Sequence, residues 1–142
     1  MSYNIEQVNS GYVSLTSAGL AIGTNTGTFK TANTLTFTNN GVFKSKAATD
    51  NLAFSTSTAL AAGQSCLFAL WIDASGAVTT TQGPIVASPD PCPVPTQITP
   101  NVTLVGLIKV VATATFTPNT TALGTGNTAT YINCMLMPGT AQ

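Results

Sequence analysis

The sequence predicts an all-β chain: an antiparallel β-sandwich or small jelly-roll-like barrel with an extended N-terminal arm. Three observations carry the prediction. Thr, Val and Ile recur throughout, and these residues fit a pleated, half-buried surface. Gly and Pro punctuate the chain, while the long Glu-, Lys- and Leu-rich runs of helices are missing. Several segments alternate apolar and polar residues with the period of two that buries one strand face.

Residues 1–12 are polar and weakly patterned and form the expected arm, with Tyr3, Ile5, Val8 and Tyr12 as its bulky side chains. A single β domain is expected over 13–142. Short strands fit 12–15 and 20–22, followed by a Gly/Thr/Asn loop over 23–28. Thr34-Leu35-Thr36-Phe37-Thr38 alternates, with Leu35 and Phe37 on one face. Asn39-Asn40-Gly41 follows, and Asn-Gly is a strong hairpin signal because a type I′ turn needs positive φ at both central residues. Residues 42–46 return with Lys44 and Lys46 on one side. Over 47–64, a short strand is expected at 52–55 and a turn near 62–64.

Residues 66–73 are apolar on both faces: Cys66, Phe68, Leu70 and Ile72 against Leu67, Ala69 and Trp71. Such a strand is buried twice, in a sandwich core and an interface or in a central layer. Asp73-Ala74-Ser75-Gly76 has the Asp and Gly positions of a type I turn, and 77–82 completes a second hairpin. The segment 83–100 holds six of the eight prolines. Pro stiffens a chain toward polyproline II, so this is expected to be an ordered, extended surface loop. Residues 102–117 form the longest strand region. Val102, Leu104, Gly106, Ile108 and Val110 alternate with Thr103, Val105, Leu107, Lys109 and Val111, and Gly106 marks a bulge or bend. A turn-rich loop at 118–127 and a last strand at 128–135 complete the count of eight or so strands.

The charge content narrows function. Only 6% of the 142 residues are charged, with four Lys, four acids and no Arg or His; an average domain has roughly a quarter. With four scattered lysines no basic patch follows a phosphate backbone, so nucleic acid is not an expected partner. No apolar run approaches the ~20 residues of a membrane-spanning helix, and no membrane association is expected. The first residues lack the basic-then-apolar pattern of a secretory signal, so the expectation is a chain used in a cytoplasm or released by another route. Zero net charge and a mean hydropathy of +0.31 fit either an uncharged surface or one buried in an assembly.

Without His, Ser-His-Asp and Cys-His catalysis and the common zinc patterns cannot be built. Each acid has a structural role to hand: Glu6 in the arm, Asp50 in a loop, Asp73 opening a turn, Asp90 between prolines. No enzyme activity, metal or cofactor is expected. Of the three cysteines, Cys66 and Cys134 sit in apolar runs and Cys92 in the Pro-rich loop, where a free thiol is expected. Asn101-Val102-Thr103 and Asn119-Thr120-Thr121 match the glycosylation pattern by chance as easily as by design. Trp71 and the tyrosines could stack on sugar, but Trp71 lies mid-strand among apolar neighbours, which favours packing.

Two segments carry a resemblance. One is Cys66-Leu67-Phe68-Ala69-Leu70-Trp71-Ile72-Asp73-Ala74-Ser75-Gly76, continuing through Gly83. The other is Val105-Gly106-Leu107-Ile108-Lys109-Val110-Val111 with Phe116-Thr117-Pro118-Asn119 and Thr128-Ala129-Thr130-Tyr131-Ile132-Asn133. Their order and spacing, across 60–136, resemble small structural proteins of tailed bacteriophages: head decoration (cement) proteins and related head-fibre or appendage modules. The resemblance implies a non-enzymatic virion protein, assembled in the host cytoplasm and carried on the capsid surface. Its implied partners are the major capsid protein and copies of itself, in trimers in preference to dimers. On this reading the arm (Tyr3, Ile5, Val8, Tyr12) and the loop (Pro89, Pro91, Pro93, Pro95) touch the capsid, and Trp71, Val105 and Leu107 join the copies. The core is expected to hold Leu35, Phe37, Phe68, Leu70, Ile108, Val110 and Phe116. The alternative is a host-facing appendage or a carbohydrate-binding β-sandwich module, which needs exposed aromatic residues.

Overall fold

The computed structural model describes residues 11–135. Tyr3, Ile5 and Val8 lie outside them. The described residues form eleven strands and no helix: β1 (Tyr12–Ser14), β2 (Leu20–Ile22), β3 (Phe29–Thr31), β4 (Leu35–Asn39), β5 (Val42–Lys46), β6 (Thr49–Leu52), β7 (Gln64–Ile72), β8 (Val78–Gln82), β9 (Val86–Ala87), β10 (Thr103–Ala112) and β11 (Asn127–Asn133). All pairings are antiparallel. The main sheet runs β11-β10-β7-β8, with β9 paired to the start of β7; the two smaller sheets are β1-β4-β5 and β2-β3-β6. The sheets do not close into a barrel, and the arrangement is compatible with the sandwich.

Turn chemistry sets the hairpins. Asn40 and Gly41 take φ of 50° and 75° between β4 and β5, as the Asn-Gly signal requires. Asp73 accepts hydrogen bonds at Oδ1 from the backbone N–H groups of Ser75 (2.8 Å) and Ala77 (3.0 Å), which fixes the β7–β8 turn. These bonds stabilise the charged carboxylate, so Asp73 titrates below its ordinary value, the Ser75 hydroxyl being the largest cause. The strand expected at 52–55 lies earlier, at Thr49–Leu52, and β3 was not foreseen. β3 is only three residues long, and β6 does not alternate.

One core draws on all three sheets. Phe54 sits at its centre, with ring centroids 5.0 Å from Phe29, 4.7 Å from Phe68 and 6.4 Å from Phe116. Each of the seven expected core residues is buried in it. Asn119, at φ 66°, holds this centre from outside. Its Oδ1 accepts from the Phe54 N–H (2.7 Å) and its Nδ2 donates to the Phe54 carbonyl (2.8 Å). The side chain stands in for a strand partner, which is a structural use for one of the two glycosylation-like asparagines.

β10 departs from the simple alternation. Leu104 pairs with Trp71 and Gly106 with Leu70, so Val105 is an extra residue opposite β7. The bulge exchanges the faces on either side of it. Leu104 and Leu107 lie outward; Val105, Ile108 and Val110 face the core. Gly106 is required at the bend, since a Cβ there would lie 2.4 Å from Leu20 Cδ1 and 2.6 Å from the Ile132 carbonyl oxygen.

Candidate contact surface

The outward face of the main sheet is the surface that β7 makes unusual. Ala69, Trp71 and Val102 form a second buried cluster there, with Leu104 and Leu107 packed against it. The chain covers much of this face itself. After β8 it turns at Gly83, whose N–H donates to the Leu67 carbonyl (2.7 Å). A Cβ on Gly83 would lie 2.9 Å from the Pro93 carbonyl oxygen and 3.2 Å from the Pro95 ring. The Pro-rich segment therefore folds back beside β7, and its far end returns through Val102 onto Trp71.

This changes the reading of several residues singled out from the sequence. Trp71 is 9% exposed within one chain, so its burial needs no second copy; its Nε1 is buried without a hydrogen-bond partner. Val105, expected at an oligomer interface, is 1% exposed and belongs to the core, because the bulge turns it inward. Leu107 is half-buried on the outward face. Pro89, Pro91 and Pro93 are exposed, whereas Pro95 is buried beside Gly83 and is not available to a partner. Tyr12 belongs to β1 rather than to an arm, and its hydroxyl donates to Asn101 Oδ1 (2.8 Å). That bond, with Asn39 Nδ2 donating to the Asn101 carbonyl (3.0 Å), ties the root of the N-terminal segment to the end of the Pro-rich loop.

Among the described residues, the exposed bulky apolar side chains are ones that the sequence pattern does not single out. Val94 and Ile98, on the Pro-rich loop, are 62% and 78% exposed. Val42 and Phe43 stand at the β4–β5 hairpin, and Ile132 and Met135 at the end of β11. Proline at 93 and 95 was the available signal for Val94: a chain held extended on both sides of a residue has little freedom to tuck it inward.

Polar chemistry on the surface is occupied by the fold. Asp50 accepts from the backbone N–H groups of Thr24 (3.0 Å) and Asn51 (2.7 Å) and from the Thr24 hydroxyl, which holds its carboxyl below the ordinary range. No three of His, Cys, Asp or Glu converge among the described residues. Cys66 is buried, and burial pushes its thiol up to about 11. Cys92 is half-buried and free, its Sγ 3.3 Å from Ser65 Oγ. An open cleft of about 540 Å³ between residues 55–58 and 79–82 is lined by hydroxyls, Gln82, Ile98 and Thr99, with no aromatic ring. Compared with known families, curated proteins and solved structures, the chain matches none.

Proposed function

We propose that this protein is a virion structural protein that decorates the outer surface of a capsid lattice, binding the major capsid protein and stabilising the head without catalysis. The observation that carries the proposal is the pairing of a charge-poor β body with bulky apolar side chains, Val94 and Ile98, displayed on a Pro-stiffened loop. A loop already held extended loses little entropy on docking. Apolar contact with few charges is also insensitive to salt, unlike a charged interface. The resemblance of residues 60–136 to cement proteins supports the same reading. Burial of Trp71 removes one sugar-stacking platform, while Phe43, 73% exposed at the β4–β5 hairpin, is the exposed aromatic that the carbohydrate-binding alternative needs.

The contact set is narrower than the sequence suggested. Pro89, Pro91 and Pro93 remain with Val94 and Ile98, while Pro95 and Val105 leave it. The arm, if it reaches the capsid, ends before Gly11, whose carbonyl already accepts from the Gly41 N–H (3.1 Å). The test is sedimentation of purified capsids with the chain at low and high salt. Wild-type protein is expected to co-sediment at a copy number comparable with the capsid protein, with little salt dependence. Val94→Ser combined with Ile98→Ser is expected to lose most of the occupancy. Undiminished occupancy in that variant would sink the loop mechanism, and no wild-type binding to any capsid preparation would sink the function.

A further inference from the structure

The two-residue turn between β4 and β5 carries a reactive pair that the contact surface does not use. Asn40 is the only asparagine of the chain followed by glycine, and both residues are exposed. With φ of 50° and 75° they form a type I′ turn, which needs a left-handed residue at both positions. An asparagine side-chain amide lies one five-membered ring away from the backbone nitrogen of the next residue. When that residue is glycine, no side chain shields the nitrogen. A Cβ built on Gly41 meets no atom within 4 Å, so the turn is uncrowded on that side as well.

Two features of the folded hairpin hold this pair apart. In a type I′ turn ψ of the first residue is roughly +30°, which places Gly41 N on the far side of the Asn40 Cα–C bond from Cβ. Closing a five-membered ring needs the two on the same side, so the turn must unwind first. The Gly41 N–H also donates to the Gly11 carbonyl (3.1 Å). Gly11 sits against the turn: a Cβ on it would lie 3.1 Å from Gly41 N and 3.3 Å from Asn40 Cα. The root of β1 therefore closes over the nitrogen that would have to react.

We infer that Asn40 is a spontaneous deamidation site gated by release of the hairpin from Gly11. Once the turn opens, Gly41 N attacks Asn40 Cγ. The new C–N bond forms as the Cγ–Nδ2 bond breaks, and the amide leaves as ammonia with the Gly41 N–H proton. The product is a cyclic succinimide, and no oxidant takes part. Water adding at Cγ breaks the new bond and leaves aspartate. Water adding at the Asn40 main-chain carbonyl breaks the original peptide bond and leaves isoaspartate, whose backbone runs through Cβ and Cγ. Either product gives this net-neutral chain a negative charge. Isoaspartate also adds a backbone methylene, so the turn no longer closes in the register that sets Asn39 opposite Val42. Opening of the turn is thereby recorded in the covalent structure, at the hairpin that displays Val42 and Phe43. The site is read on the isolated chain, independently of capsid binding.

The test follows the full chain at mildly alkaline pH, where base removes the Gly41 proton, by ion exchange and by mass spectrometry of proteolytic fragments. In guanidinium chloride Asn40 should deamidate ahead of every other asparagine. In the native chain it should do so more slowly by about tenfold or more, the protection that a local opening equilibrium confers. Gly11→Ala forces a methyl group against the turn and should bring the native rate toward the denatured rate; circular dichroism checks that the variant is folded. Asn40→Gln, which would need a six-membered ring, should remove the modification. Another asparagine leading in guanidinium chloride would overturn the site, and equal native and denatured rates would overturn the gate. A folded Gly11→Ala chain modified at the wild-type rate would overturn it too. Should that variant not fold, wild-type protein in denaturant below its unfolding transition decides. A rate that already rises there places the opening at the hairpin, and a rate that rises only with global unfolding overturns the local gate.

Discussion

The two faces of β7 are both apolar, and they are covered by different means. On the inner face Phe68 meets Phe54 within a core that also takes in the two smaller sheets. On the outer face Ala69 and Trp71 pack with Val102, Leu104 and Leu107, and the Pro-rich segment returns past Gly83 beside Leu67. The first is side chains interlocked between layers; the second is a strap laid over a sheet. A strand apolar on both sides is therefore not by itself a sign of oligomerisation. The contact proposed for a partner lies elsewhere, at the exposed Val94 and Ile98 on the strap.

Substitutions can separate the two kinds of cover. Phe68→Ala empties the middle of the aromatic cluster and should destabilise by about 3–5 kcal/mol in denaturant unfolding. Gly106→Ala tests the bulge that divides the faces and should cost about 1–3 kcal/mol through overpacking. Leu20 can rotate away from the new methyl, but the Ile132 carbonyl oxygen, 2.6 Å from it, cannot. Adding Leu20→Ala should accordingly fail to rescue the variant. If Gly106→Ala is neutral, the bulge is not pinned by this close approach.

Trp71→Phe is the outer-face counterpart. It trims a ring under the strap and removes a buried N–H that has no partner, so loss and gain offset each other and the net cost should stay below about 1.5 kcal/mol. A cost matching Phe68→Ala would mean that the outer face is packed as tightly as the core, and the distinction would fall.

The core was legible because it rests on alternation. Leu35, Phe37, Phe68, Leu70, Ile108, Val110 and Phe116 show period two, and the Asn40-Gly41 and Asp73–Gly76 turns have chemistry that specifies their φ values. Val105 was assigned to the wrong face because one inserted residue inverts every assignment on one side of it. Gly106 signalled the irregularity but not on which side of it the phase changes. The return of the Pro-rich segment through Val102 onto Trp71, and the hydrogen bonds that tie Ser55 to Thr80 and Thr58 to Gln82, were invisible for a different reason. They are contacts between irregular segments and strands distant in sequence, and no periodicity encodes them.

Titration distinguishes the dry inner face from the solvated turns. Cys66, on the inner face, has its thiol raised to about 11 by burial. In the unfolded chain an ordinary thiol ionises near 8.5. Above that value the unfolded state sheds its proton first, so stability should fall as pH rises from about 8.5 toward about 11. Cys134 and Tyr131 are shifted upward by burial as well and add to the same slope. Cys66→Ala should shallow this slope in unfolding measured across pH. Asp50 and Asp73 work at the other end. Their carboxyls are lowered, so their contribution is present above the unfolded value near 3.9 and is lost as pH falls below it. Between the two limits stability should be nearly flat, and a steep change near neutral pH would contradict the assignment.

The smallest effect is expected where the strap faces outward. Val94→Ser and Ile98→Ser each alter a side chain that is mostly in solvent, and each should move stability by no more than about 0.5 kcal/mol. Near-neutrality is the informative outcome, because it means these apolar groups are not holding the strap to the sheet. A thermal melt of the double variant that overlays the wild type, together with lost capsid occupancy, would assign Val94 and Ile98 to a partner. A lowered melting temperature would instead make them part of the cover over Trp71, and the strap would then resemble the core in kind and differ from it only in tightness.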